Sequence, residues 1–384
     1  MINFWSYKRE FKKYKQTLFR GIKRSLNSGT TFFGKELENF ERNFIKKYKA
    51  KYGVAVGSGT DALLIALKTL NLKKGDEVIT AANTAIPTIS AIMNAGGKPK
   101  LVDIGEDYLI DTNKIEKEIN SRTRAIIPVH LYGQTCNMDK IIKIAKKNKI
   151  IIIEDCAQSQ GAKYKNKFSG TFGKFGCFSF YPTKILGAYG DGGFILTNDF
   201  EAYKQIKRLR FYGIETVEKT KFKNKYYSNE NGFNSRLDEI QSSILNFKLK
   251  KTEEFIKKRR ALANVYFKNL KDLNLQLPSE NSTCRHVYHL FTVYHSKGKK
   301  IMKKLLKNKI QTRAIYPYPI QEMNAYKKII KNKNRLKNSV KKSRGIFCLP
   351  LYPELKVSEV LLICKKIRKI MVARGGVEPP TPGL

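Results

Sequence analysis

The chain has 384 residues, 41% apolar and 28% charged, which is enough for two domains with a substantial core and excludes a disordered polymer. Seventy-five Lys plus Arg against 32 Asp plus Glu give a formal net charge of +43, yet the lysines spread over most helical segments (Lys46-Lys47, Lys146-Lys147, Lys257-Lys258, Lys341-Lys342) and no nucleic-acid module is legible, so compositional bias is the reading and no dedicated nucleic-acid partner is expected. No run of about 18 apolar residues occurs and the start, Met1 to Glu10, lacks a signal-peptide core, which predicts a soluble, cytoplasmic protein without membrane insertion.

From about Tyr52 to Asn198, short apolar runs alternate with amphipathic segments. The runs are Gly53-Val54-Ala55-Val56, Glu77-Val78-Ile79-Thr80, Lys100-Leu101-Val102-Asp103, Ala125-Ile126-Ile127-Pro128-Val129, Ile150-Ile151-Ile152-Ile153 and Gly193-Phe194-Ile195-Leu196-Thr197. Strand-length runs at helix-length intervals predict an α/β fold with a mostly parallel sheet, helices on both faces and ligands at the carboxyl ends of the strands. Beyond Arg236 the pattern turns helical, and Leu237, Ile240, Ile244 and Phe247 recur at spacings that suit one buried face of a linking helix. Further on come a strand candidate, Tyr288 to Tyr294, a Lys-rich helix near 297–308 and a Pro-rich bend, Tyr316-Pro317-Tyr318-Pro319. The expected organisation is a large domain at 1–250 and a smaller C-terminal α+β domain at 251–372. Residues 373–384 hold three of the twelve prolines and no lysine, and read as a disordered or artefactual tail.

The six cysteines (Cys136, Cys156, Cys177, Cys284, Cys348, Cys364) show no paired short spacing, so neither a disulfide framework nor a metal site is expected. Cys156 reads as a small packing residue.

Three stretches carry chemistry. Gly57-Ser58-Gly59-Thr60-Asp61 follows the first strand: glycines allow a tight turn, and a hydroxyl at a helix N-terminus suits a phosphate, although Thr60 reads equally as a plain N-cap. Glu154-Asp155 closes the isoleucine strand with Gln158 one turn on; Asp155 is either a capping acid or a partner for a protonated ring nitrogen. Ser179-Phe180-Tyr181-Pro182-Thr183-Lys184 puts a lysine in the least charged neighbourhood of a lysine-laden chain, where a desolvated amine is more often neutral and nucleophilic. A lysine that can condense with an aldehyde and a carboxylate that can keep a pyridine nitrogen protonated are what a protein contributes to pyridoxal phosphate (PLP) chemistry.

With these residues in view, Glu154-Asp155-Cys156-Ala157-Gln158, Phe178 to Lys184 and Gly190-Asp191-Gly192-Gly193 resemble the DegT/DnrJ/EryC1/StrS family of nucleotide-sugar aminotransferases. The likeness extends to Ser58 to Leu63, Val102-Asp103-Ile104, Pro128-Val129-His130-Leu131-Tyr132-Gly133, Gly232 to Asp238 and, more loosely, Leu349 to Pro353, and covers roughly 30–370. The resemblance implies PLP fold type I, the aspartate-aminotransferase-like fold, as a homodimer with shared active sites. Lys184 would hold the cofactor as a Schiff base and carry protons, Asp155 would pair with the pyridinium nitrogen, and Gln158 would sit at the ring. Gly59, Thr60 and Ser179 would hold the phosphate, with Asn234 reaching it from the other subunit. The reaction implied moves an amino group, usually from glutamate, to a dTDP- or UDP-linked keto-deoxysugar for cell-surface polysaccharide, lipopolysaccharide or antibiotic-sugar synthesis. A dehydratase branch, in which histidine replaces the lysine, and a non-catalytic regulatory homologue are the alternatives; Lys184 argues against the first. The chain departs from the pattern at Ile185-Leu186, at Ala85, where an aromatic ring is frequent, and at Ile315 and Gln321, where histidines are frequent.

Overall fold

The computed structural model describes residues 1–217, 221–222 and 226–372; the expected tail at 373–384 lies outside the described residues. Strands of four or more residues are numbered. The first seven are β1 (Tyr52–Val56), β2 (Glu77–Ala81), β3 (Lys98–Val102), β4 (Thr123–Ile127), β5 (Ile151–Asp155), β6 (Phe175–Ser179) and β7 (Gly193–Thr197). They form one sheet in the order β1-β7-β6-β5-β4-β2-β3, parallel except for β7, which runs antiparallel to both neighbours.

Side-chain alternation divides the core. Val54, Val56, Cys177 and Ile195 join one cluster with α3 (Gly59–Lys68), α4 (Ile86–Asn94) and α5 (Met138–Lys147). Ala55, Phe178, Phe194 and Leu196 face the other way, onto α2 (Lys35–Tyr48) and the start of α7 (Glu239–Leu270). There Phe44 lies 4.4 Å from Phe194 and 5.1 Å from Phe178, and Phe40 lies 5.2 Å from Phe180, ring centre to ring centre. This aromatic layer backs the strand end that carries Ser179 and leads to Lys184, so that segment rests on rigid packing.

Between these elements, α1 (Tyr7–Asn27) lies along α7, and α6 (Phe200–Leu209) lies beside β1. Downstream, β8 (Phe291–Tyr294) and β9 (Ile346–Leu349) pair antiparallel, and a second core joins them to α8 (Gly298–Lys307), α10 (Val357–Val372) and the C-terminal half of α7. The short α9 (Lys337–Gly345) is capped from the main sheet: Asp103, just past β3, accepts from the N–H groups of Asn338 (3.0 Å) and Ser339 (2.9 Å).

Three expectations are corrected. The strand expected at Tyr288 to Tyr294 begins only at Phe291, because Val287 and Leu290 donate their N–H groups to the carbonyls of Gly133 and Tyr132 instead. The single buried face expected for the linking helix is too narrow: Leu237 precedes α7, and the helix also buries Ser242, Ser243, Leu245, Lys248 and Leu249 because α1 and α2 flank it. Buried Lys248 meets Glu10 of α1 at 2.5 Å. The expected strands also lacked β6, whose Gly176 sits where an added Cβ would lie 2.1 Å from the Gly170 carbonyl oxygen.

Helix α2 has no side-chain cap of its own; Gly34 stands at its N-cap. Glu239, 2% exposed, crosses from the first turn of α7 and accepts from the N–H groups of Gly34 (3.0 Å), Glu36 (2.9 Å) and Leu37 (3.1 Å). Glu239→Ala strands those donors in a buried position and is expected to lower unfolding stability by about 2 kcal/mol, read by thermal or urea unfolding. A stability equal to the parent's would contradict this capping role.

Candidate active site

The carboxyl ends of β1, β2, β4, β5 and β6 meet at one edge of the sheet, and the singled-out residues lie there. Asp155 is the last residue of β5 and is 4% exposed. Its Oδ2 accepts from Thr88 Oγ1 at 2.8 Å and its Oδ1 from the Ala157 N–H at 3.1 Å. Thr88 spends its proton on Asp155, so the 2.9 Å contact between Thr84 and Thr88 hydroxyls has Thr84 as donor. Burial pushes the Asp155 carboxyl up, while the hydrogen bonds from Ala157 and Thr88 and then the charge of Lys184 pull it back.

Lys184 follows β6 in a tight loop: its N–H bonds the Tyr181 carbonyl (2.8 Å), and the Ala188 N–H returns to the Phe180 carbonyl (2.8 Å). The loop needs glycine at 187, where a Cβ would lie 2.4 Å from the Pro182 carbonyl oxygen. The half-buried Lys184 amine is pushed down to about 8 by desolvation, with the Asp155 charge working the other way. Burial outweighs mutual attraction in both groups. A free amine is therefore available near neutral pH, as it is not for an ordinary lysine.

Gln158 is held at both ends: its Oε1 accepts the Tyr132 N–H (2.8 Å) and its Nε2 donates to the Tyr316 hydroxyl (3.0 Å). Tyr132 in turn donates its hydroxyl to the Ile315 carbonyl. Ile315, one of the departures from the family pattern, thus contributes through its backbone. Gln321, the other, is buried against Ser339, to which it donates at 3.1 Å.

At the end of β1, Ser58 and not Thr60 caps α3, accepting the Asp61 N–H at 3.0 Å. The Ala62 N–H goes to the Ser58 carbonyl, whereas the N–H groups of Gly59 and Thr60 make no hydrogen bond among the described residues. A Cβ on Gly59 would lie 2.5 Å from Ser179 Cβ, so only glycine lets this helix start approach Ser179. Ser179 Oγ accepts from the Tyr181 N–H at 3.3 Å and keeps its own proton to donate.

Asn234 is exposed, next to buried Ser235. Ser235 Oγ accepts the Gly57 N–H (2.9 Å) and donates to Asp61 (2.8 Å), tying the 232–238 loop to the same helix start. The structure thus gathers Gly59, Thr60, Ser179, Asp155, Gln158 and Lys184 at one edge, and leaves Asn234 facing outward from it.

His130, Glu154 and Cys156 also converge, with ligand-type atoms within 4.8 Å of one another. Those lone pairs are already spent. His130 Nδ1 accepts the Cys136 N–H (3.0 Å), which leaves Nε2–H to donate to Glu154 (2.9 Å). Glu154 further accepts from Gly170, Phe172 and Gly173 at 2.6 to 2.8 Å, so it anchors the loop before β6. Burial pushes the Cys156 thiol well up, as for an inert packing residue.

Sequence reading missed Thr88, Tyr132 and Tyr316 as supports. The spacing of Thr84 and Thr88 across the Pro-marked start of α4 was a usable signal for the first; nothing local marks the other two. A groove of about 840 Å³, lined by Tyr294, Lys337, Lys341 and Arg344, lies apart from these groups.

Residues 12–368 match the DegT/DnrJ/EryC1/StrS aminotransferase family. The chain is 37% identical to a dTDP-3-amino-3,4,6-trideoxy-alpha-D-glucose transaminase of Micromonospora megalomicea subsp. nigra, over 91% of this chain and 94% of that protein. It is 37% identical to a dTDP-3-amino-3,6-dideoxy-alpha-D-galactopyranose transaminase of Aneurinibacillus thermoaerophilus, over 96% and 99%. The crystal structure of S. venezuelae DesV in complex with a ketimine intermediate superposes with a TM-score of 0.91 at 34% identity, covering 96% of this chain and 98% of that one. No helix among the described residues is long and apolar enough to cross a membrane. The match across nearly the whole length, on the α/β fold that carries Lys184 and Asp155 at its strand ends, makes this chain a member of the DegT/DnrJ/EryC1/StrS aminotransferase family.

Proposed function

We propose that the protein is a PLP-dependent aminotransferase that moves an amino group from an amino acid, glutamate in the first instance, to a dTDP- or UDP-linked keto-deoxysugar. The observation that carries this reading is the Lys184 amine, brought down to about 8 within the electrostatic reach of Asp155. The full-length likeness to sugar transaminases supports the substrate class. Synthesis of cell-surface polysaccharide, lipopolysaccharide or antibiotic sugars is the setting this implies, and the cytoplasm, where nucleotide-activated sugars are made, is the proposed location.

The residues fit the cofactor. Gly59 and Thr60 offer free N–H groups at the positive end of a ten-residue helix, and Ser179 offers a hydroxyl beside them, a cradle for a phosphate that a Cβ at 59 would fill. Asp155 has lone pairs left after Thr88 and Ala157, enough to hold a proton at a ring nitrogen. When bound, PLP supplies an aldehyde for an amine to condense with and a ring that takes up the electron pair left by the departing proton. Asp155, braced by Thr88, would keep the ring nitrogen protonated. Lys184 would supply the amine that condenses with the cofactor and, when free, the group that carries protons. Gln158, fixed between Tyr132 and Tyr316, would lie against the ring. Residues 1–250 hold these groups, and 251–372 form the smaller part that closes the site through Tyr316 and the 286–290 segment.

The proposed homodimer completes the site. Asn234 is exposed while its neighbour Ser235 is fixed to the helix start, a placement suited to a side chain that works in the other subunit. The surplus of positive charge, +43 overall, suits a nucleotide diphosphate.

The activity test is a panel of dTDP- and UDP-linked ketosugars with glutamate and PLP, read by product mass. Lys184→Ala is expected to lower turnover at least about a thousandfold with the fold retained. Near-parental turnover in that variant would overturn the assignment. Asp155→Asn should still capture the cofactor and lose about a hundredfold or more in kcat, because the ring nitrogen no longer keeps its proton; equal rates would remove Asp155 from the chemistry. Lys184→Ala and Asn234→Ala subunits, each inactive alone, should on 1:1 reassembly recover about a quarter of parental activity, since half the dimers are mixed and each of those has one intact site. Proven heterodimers with no recovery would return Asn234 to a turn role.

A further inference from the structure

Two threonine hydroxyls stand in line behind Asp155. Thr88 is wholly buried in the first turn of α4, and Thr84, 1% exposed, lies in the bend just before that helix. Thr88 Oγ1 is 2.8 Å from Asp155 Oδ2 and 2.9 Å from Thr84 Oγ1. An ionised carboxylate only accepts, so the Thr88 proton goes to Asp155 and the Thr84 proton goes to Thr88. Both hydroxyls therefore point the same way, along a chain that runs from Thr84 through Thr88 to the carboxylate.

Neither hydroxyl has an ordinary structural task. A helical threonine commonly returns its hydroxyl to a carbonyl three or four residues earlier, whereas Thr88 sends its own across to β5. A hydroxyl proton turns about its C–O bond, and the carbonyls of Thr84 and Ala85 are the acceptors it would ordinarily take. A proton arriving from Thr84 fills a lone pair of Thr88 and leaves the Thr88 proton with Asp155 as its strong acceptor. Among the described residues Thr88 is the hydrogen-bond partner of Thr84 Oγ1, and a valine would fill nearly the same space without the cost of burying a hydroxyl. The first turn of α4 has no acid of its own and Ala85 offers no side-chain cap, so the negative charge that meets the positive end of this helix through Thr88 is that of Asp155. Asp155 needs this support, because burial pushes its carboxyl up and a ring nitrogen keeps its proton only beside an ionised acid.

We propose that Thr84 is a positioning residue for Asp155, acting through Thr88: its donated proton commits the Thr88 hydroxyl to Asp155 Oδ2, and so keeps the carboxylate ionised and held in place to serve a ring nitrogen. This rests on the role proposed above for Asp155. Hydrogen bonds in series polarise one another, so the second hydroxyl strengthens the bond that the first one makes.

The test separates the ring nitrogen from everything else about the cofactor. The full-length protein is freed of cofactor and titrated, by absorbance, with PLP and with the analogue that carries CH in place of the ring nitrogen; the ratio of the two dissociation constants is the preference for the nitrogen. The parent should prefer PLP by about tenfold or more. Thr84→Val should lower that preference about fivefold, with affinity for the analogue within about twofold of the parent's. Thr84→Ser keeps the hydroxyl and should hold the preference within about twofold of the parent's. Thr88→Val should lower it at least as far as Thr84→Val, and the double variant should differ from Thr88→Val by less than about twofold, because Thr84 acts only through Thr88. In the holoenzyme, Thr84→Val should lose about fivefold in kcat with KM for the ketosugar within about twofold. Should Thr84→Val not fold, Thr84→Ser against Thr84→Ala, which differ by the hydroxyl alone, decides in the same way. If the parent binds PLP and the analogue alike, the reading of Asp155 falls and this proposal with it. If the parent prefers PLP but Thr84→Val keeps that preference, weakens both ligands alike, is not rescued by Thr84→Ser or adds its full loss to that of Thr88→Val, only the role of Thr84 falls.

Discussion

The site depends on two opposite charges being taken out of water together. Asp155 and Lys184 approach from neighbouring strand ends, and for each the cost of burial exceeds what the other returns, so the acid is pushed up and the amine down. The protein offsets the cost with donors to the carboxylate from Thr88 and Ala157, while leaving the amine without a comparable acceptor. That asymmetry offsets part of the upward push on the acid and leaves the amine pushed down. It also explains why the supporting hydrogen bonds lie on the Asp155 side.

Strand geometry lets one short sequence do two jobs. Glu154 and Asp155 are consecutive residues of a strand and so point to opposite faces of the sheet. Glu154 gathers His130 and the backbone of Gly170, Phe172 and Gly173, which fixes the loop leading into β6. Asp155 faces Thr88 of α4. A slip of one residue would exchange these roles, so the register with Cys177 and Gly176 on β6 is part of the site. The phenylalanine layer under β6 and β7 then holds Ser179 and the Lys184 loop at a set height above the sheet.

Much of this was legible in the sequence because it is local. The runs that become β1, β2, β4, β5 and β7 stand out as apolar blocks, and Lys184 stands out by its uncharged surroundings. Elements with mixed signals were not legible: Phe175-Gly176-Cys177-Phe178-Ser179 is interrupted by glycine, and α1 is rich in lysine with its few buried contacts, Leu18 and Glu10 among them, far apart. Long-range partners were not legible either. That Tyr316 braces Gln158, that Asp103 caps α9 and that Gly133 makes room for His289 all depend on how segments more than 150 residues apart come together. The apparent strand from Tyr288 was misread for the same reason, since its first backbone donors are claimed by the Tyr132-Gly133 turn.

The high net charge has a plain structural account. Many acids are engaged in caps, in knots such as that at Glu154, or in ion pairs such as Lys100–Glu77, whereas Lys299, Lys300, Lys303 and Lys307 lie on the solvent face of α8. A field of this kind speeds the arrival of anions and weakens with salt, without selecting among them. In the proposed function, selection and chemistry belong to the strand-end site. The most direct measurement of that claim is to load the protein with PLP, reduce it with borohydride, digest it and locate the modified peptide. The account predicts a single stoichiometric adduct on Lys184; an adduct spread over other lysines, or absent from Lys184, would contradict it.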